Sequence, residues 1–200
     1  STSLPMVVAD EMEADWSKVK IVTTDGDEPK YGNQDTDGSR SMRHFIQAMR
    51  QCGAAMRQML ESAAAAKWGV DSALCSAKDH KVVLIDDKGK EQGKSLGFGE
   101  LAEAAMALPV PAVESLRFKS PDEFNYIGKG EIKAHDHRNI TMGKAIYGAD
   151  VRVPGMKFAV MARPTVLGGK VKKWDGAAAL KVPGVVAVHE IEGVFENPRK

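Results

Sequence analysis

GNQDTDGSRSMRHFIQAMRQCGAAMRQML, Gly32 to Leu60, runs a polar, glycine-bearing loop directly into a long amphipathic pattern. Phe45, Met49, Cys52, Met56 and Leu60 recur at helical spacing, so a helix is expected from about Arg40 to Trp68 with these residues as its buried stripe. Gly53 to Ala55 and Ala63 to Ala66 give it small faces suited to close packing, and Gly69 is a natural stop. Arg43, Arg50 and Arg57 repeat every seven residues on another side, which reads as a solvated stripe or one paired with a partner surface. The junction GSRS (Gly38 to Ser41) places hydroxyls and one arginine where the first helical N–H groups lack intrahelical acceptors. Two readings of that junction stand side by side. Ser39 or Ser41 caps a structural helix, or the end receives a phosphate or pyrophosphate, helped by the helix dipole.

Two hundred residues allow one medium domain or two small ones. A net charge of +1 gives no sequence-wide electrostatic case for nucleic acid or an acidic membrane. Lys170, Lys172 and Lys173 form a short cluster that reads as a solvated strand edge. No apolar run approaches the roughly 20 residues of a membrane span, and no secretory leader pattern is visible. Cys52 and Cys75 make neither a disulfide framework nor a metal motif, and Cys52 falls at a core position of the long helix.

Upstream, the residues to Met12 read as a short helix, with Ser3 as a cap and Pro5 in its first turn. Lys18 to Thr24 alternates like a strand, and Asp25 to Asp37 is a polar loop. Downstream, Ala73 to Lys78 and Lys81 to Asp86 are expected strands, Asp86 to Lys94 an exposed turn, and Ser95 to Leu108 a helix. Pro109 to Pro121 reads as an extended connection near a domain boundary. Beyond it, Ala145 to Val153, Met156 to Arg163, Val171 to Trp174 and Val185 to Ile191 read as strands. Pro154-Gly155 forms a turn and Asp175 caps a short helix to Leu180. The expected class is α+β: 1–120, a long helix with short strands, then 121–200, a smaller α+β unit.

Two segments resemble one family. TMGKAIYGADVRVPGMKFAVMARP (Thr141 to Pro164) with WDGAAALKVPGVVAVHEI (Trp174 to Ile191) is similar to the α/β hammerhead domain of the xanthine dehydrogenase and aldehyde oxidase family, although Met142 interrupts the usual Thr-Gly pair. LPMVVADEMEADWSKVKI and the Gly32 to Leu60 stretch resemble the molybdopterin-binding region of that family, in the subgroup of isoquinoline 1-oxidoreductase beta subunits and related membrane-linked aldehyde dehydrogenases. The resemblance implies a partial molybdopterin-binding domain over 1–120 and a hammerhead domain over 121–200. It also implies a molybdenum hydroxylase acting on an aldehyde or N-heterocycle.

The cofactor so implied is molybdopterin, as the cytosine dinucleotide, with electrons leaving through iron–sulfur clusters on a small partner subunit and a cytochrome c beyond it. By position, Gln34, Thr36, Gly38, Ser39, Arg40 and Ser41 would line the cofactor. No catalytic residue or metal ligand is assigned. The family's glycine–glutamine motif and its general-base glutamate are not in these 200 residues, so the chain is expected to be an inactive slice of a large subunit. A slice should self-associate through surfaces that meet its missing neighbours. The family's habit implies a periplasmic or membrane-associated location. The alternative is a non-catalytic hammerhead-type interaction or assembly module.

Other motifs are weaker. His135-Asp136-His137 lacks a third ligand and reads as a polar loop. Ile127 to Ile132 (IGKGEI) and Leu167 to Lys170 (LGGK) lack dinucleotide and P-loop spacing. His44, Glu100 and Glu103 read as packed or solvated rather than catalytic.

Overall fold

The computed structural model describes residues 2–166 and 169–191. It divides into two compact units, Ser1–Tyr147 and Gly148–Lys200. The first unit carries, among its described residues, five helices and a small sheet. Helix α1 (Ser3–Met12) ends at Glu13, which adopts a left-handed conformation, φ 60°. A polar stretch follows in which α2 (Glu28–Tyr31) is capped by the Asp27 carboxylate. Helix α3 (Arg40–Trp68) is the expected long helix, and Gly69 closes it in the left-handed conformation.

Of the stripe expected to be buried on α3 only Leu60 is, while most of the small faces expected to pack closely do so. Phe45 and Met56 are 43% and 44% exposed and Cys52 is also exposed, whereas Gly53, Ala54, Ala55, Ala63, Ala64 and Ala65 are buried. The small face wins because α1 crosses too closely for large side chains. A Cβ on Gly53 would lie 2.6 Å from Glu11 Cβ and 2.7 Å from the Val8 carbonyl oxygen.

Strands β1 (Cys75–Lys78), β2 (Lys81–Ile85) and β3 (Glu91–Gly97) form an antiparallel sheet in the order β1-β2-β3. Asp79 and His80, both with positive φ, make the tight turn between the first two, with Lys78 opposite Lys81. β3 lies where an exposed turn and the start of a helix were expected. It is polar and largely exposed, so as an edge strand it carries little hydrophobic signal. Helix α4 (Phe98–Met106) follows at once, with the Glu100 carboxylate accepting the Gly97 N–H at 2.7 Å. Leu60, Ala64, Cys75, Val82, Phe98 and Leu101 close the core between α3, α4 and the sheet.

Lys18 to Thr24 is no strand. A 3-10 turn, Trp16–Lys18, leads into unpaired chain with Val22 75% exposed. Alternation alone supplied no hydrogen-bonding neighbour for it. Residues 107–136 run without a helix or strand apart from two 3-10 turns. They lead to α5 (His137–Thr141).

In the second unit the Pro154-Gly155 turn forms, with the Met156 N–H donating to the Val153 carbonyl at 3.1 Å. The short helix α6 (Ala177–Leu180) also forms, and Asp175 accepts the Ala177 N–H at 2.8 Å. The four strands expected between Ala145 and Ile191 are not formed among the described residues. Phe158, Val160 and Met161 stay exposed, and no ladder pairs the extended backbone. A period-2 pattern prepares a segment for a sheet, but the sheet exists only where a partner strand is in register.

Candidate functional site

The loop entering α3 forms an open concavity of about 420 Å³ lined by Thr36 through Met42. Gly38 (φ 46°) and Ser39 (φ 59°) are both left-handed, which turns the chain abruptly into the helix. For Gly38 this is inexpensive; for Ser39 it is a sparsely populated conformation. Ser39 occupies the N-cap position yet makes no side-chain capping bond. Among the described residues, Thr36, Ser39 and Ser41 have no side-chain hydrogen-bond partner. The amides of Ser41 and Met42 precede Arg43, whose N–H makes the first bond of the helix, to the Ser39 carbonyl at 3.0 Å. Uncommitted hydroxyls and amides therefore face the same open space.

Arg40 is committed. Its Nη1 lies 3.2 Å from Asp37 Oδ1 and 3.6 Å from Asp35 Oδ2. An anion entering here competes with two carboxylates for the guanidinium, although Arg43 and His44 stand exposed on the first turn. Gln34 lies apart from the concavity. Its Oε1 accepts the Asp27 N–H at 2.7 Å and its Nε2 donates to the Asp25 carbonyl at 3.1 Å, so it braces the loop. The structure thus gathers Thr36, Gly38, Ser39, Arg40 and Ser41 and places Gln34 behind them.

The arginine stripe is not solvated as a whole. Arg43 is exposed, but Arg50 and Arg57 turn inward to Glu11 of α1, at 2.6 and 3.8 Å. Glu11 and Asp10 are fully buried. Asp10 accepts backbone N–H groups of Asn125, Tyr126 and Ile127 at 3.0, 3.0 and 2.8 Å, and Lys119 Nζ lies 2.9 Å away. Burial raises its pKa, but these donors outweigh that and hold the carboxyl below its ordinary value. Lys119 also pairs with Glu13, and its N–H donates to Glu11 at 3.1 Å. Residues 117–127 are therefore strapped across α1 and α3 by buried charge. The sequence signal was Asp10-Glu11 within an otherwise apolar helix, where neither could be buried unpaired.

Glu61 is a second buried acid, accepting the Ala77 N–H at 3.0 Å and pairing with Arg117. Burial prevails here and pushes its pKa up. His80 packs against Phe98, its ring accepts the Asp15 N–H at 3.3 Å, and burial lowers its pKa.

The weaker motifs add no chemistry. His135 hydrogen-bonds Thr2 while His137 opens α5, and no group of metal-ligating side chains occurs among the described residues. Gly128 and Gly130 sit in turns. Leu167 and Gly168 of the LGGK stretch lie outside the described residues. Glu103 is exposed.

Comparison with known proteins places this geometry in context. The molybdopterin cofactor-binding domain matches residues 1–154. A relative named membrane-bound aldehyde dehydrogenase [pyrroloquinoline-quinone], from Gluconacetobacter polyoxogenes, is 35% identical over 189 residues, covering 92% of this chain and 23% of its own length. Isoquinoline 1-oxidoreductase subunit beta from Brevundimonas diminuta is 27% identical over 222 residues, covering 92% of this chain and 28% of its own. The chain thus spans about a quarter of the length of these relatives, both oxidoreductases by name. It belongs to the molybdopterin cofactor-binding domain family.

Proposed function

We propose, from this membership, that the chain supplies part of the cofactor pocket in the large subunit of a molybdopterin-dependent oxidoreductase. The observation that carries the reading is the concavity at Thr36 to Met42, where free hydroxyls and helix-start amides face open space. That donor set fits the pyrophosphate and polar pterin edges of the cofactor. Gly38 lets the backbone turn, Ser39 and Ser41 donate from hydroxyl and amide, and Arg40 exchanges Asp35 and Asp37 for phosphate. When bound, the molybdenum pyranopterin supplies the redox chemistry that adds a water-derived oxygen to an electron-poor carbon of an aldehyde or N-heterocycle.

The same reading makes the cofactor a cytosine dinucleotide and assigns electron transfer to an iron–sulfur small subunit and a cytochrome c. It locates the protein in the periplasm or at the membrane and makes residues 121–200 a hammerhead domain. In that domain the extended, exposed segments of the second unit, such as 156–163, would find their strand partners. Those same exposed apolar segments favour a second reading, a non-catalytic interaction or assembly module.

The test is molybdenum content of the protein purified from its source, with Arg40→Ala alongside. About one molybdenum per chain is expected. The variant should lose cofactor affinity by about tenfold or more, the effect of one charge-assisted hydrogen bond. A metal-free protein, or one holding a quinone instead, overturns the reading and leaves the module.

A further inference from the structure

We infer that Arg50 is the positioning residue of the cofactor loop: it fixes the direction of the first turns of α3, and hence where Thr36 to Ser41 stand, without itself reaching the concavity. The inference rests on the cofactor reading above. No buried residue of α3 lies N-terminal to Gly53. Among the described residues, Arg50 is the last point toward the N-terminus at which a side chain of α3 hydrogen-bonds anything beyond the loop that enters the helix. Its Nε donates to Glu11 at 2.6 Å and its Nη2 to the Lys119 carbonyl at 2.6 Å. The guanidinium carbon lies 5.2 and 5.4 Å from the ring centroids of Phe118 and Phe124. One side chain thus joins α3 to both α1 and the 117–127 strap.

From Arg50 to Arg40 the helix extends about 15 Å, at 1.5 Å per residue. A tilt of about 5° at Arg50 moves the helix start by about 1.3 Å over that lever arm, enough to misalign hydrogen bonds to a ligand. The planar, two-pronged donor resists such a tilt, where a single ammonium would act as a pivot.

Backbone hydrogen exchange and molybdenum content read the two halves of this inference separately, on Arg50→Met, Arg50→Lys and Arg40→Ala. In Arg50→Met, exchange of amides 44–49 should quicken about tenfold while amides 60–65 change less than about twofold. Molybdenum retention should fall as it does in Arg40→Ala, with Arg50→Lys intermediate. Should Arg50→Met fail to fold because Glu11 is left buried with only the longer Arg57 contact and the Lys119 N–H, the pair Glu11→Gln with Arg50→Met removes both charges and is read in the same way. Uniformly faster exchange along α3 makes Arg50 merely structural and overturns the inference. Loss of molybdenum in Arg40→Ala but not in Arg50→Met overturns it while the cofactor reading stands. Unchanged molybdenum in both overturns the two together.

Discussion

The two halves of α3 are one continuous helix with opposite fates. Gly53–Trp68 is packed by α1, α4 and the sheet, and its small residues other than Ser62 and Ala66 are buried. Arg40–Cys52 also carries apolar residues, yet Phe45 and Cys52 face solvent. The difference teaches that a helical stripe fixes which residues share a face, whereas burial depends on what lies opposite. Arg50, Glu11 and Lys119 mark the border, where charge rather than apolar surface holds the helix.

The sharpest way to break this comparison is Leu60→Ala in the packed half. Leu60 is 5% exposed, and truncation should cost about 2–5 kcal/mol in denaturant unfolding. A loss under about 1 kcal/mol would show that the C-terminal half is as loosely held as the N-terminal one. Next comes Gly53→Ala at the seam. Crowding against Glu11 and Val8 should cost about 1–3 kcal/mol, partly offset by about 1 kcal/mol of improved helix propensity. Net stabilisation would mean that α1 can move away.

A smaller effect comes from Glu61. Because its folded pKa is raised, the folded state binds the proton more tightly than the unfolded one. The stability of wild type relative to Glu61→Gln should be greatest below about 4.5 and decline as pH rises through the folded value. A rise over that window would show that Arg117 and Arg57 outweigh burial. The smallest effect is expected at Met56, which is 44% exposed on the outer side of the packed half, where Met56→Gln should shift stability by no more than about 0.5 kcal/mol. A larger loss would reveal a covering partner, and the same variant would then reduce any self-association seen by light scattering.

Much of this was written locally. The bounds of α3, the Gly69 stop, the β1–β2 hairpin and the polar loop before the helix follow from spacing and turn chemistry, which need no distant partner. Five of the six loop residues singled out from sequence line the concavity, because neighbours in a tight turn are neighbours in space. Strand β3 carries no such signal, because an exposed edge needs no hydrophobic alternation.

What the chain determined by itself is thus helices α1, α3, α4 and α6, several tight turns and the cluster of hydroxyl, glycine and arginine groups at one helix start. Tertiary structure alone decided that alanines rather than Phe45 and Met56 face the core. It also turned two arginines of the heptad-spaced stripe inward to Glu11, and it left the alternating segments of the second unit without a ladder among the described residues. The physical reason is common to all three. Hydrogen bonds within a helix or turn are satisfied by residues a few positions away, while burial, ion pairing and sheet formation each require a group far along the chain to arrive opposite.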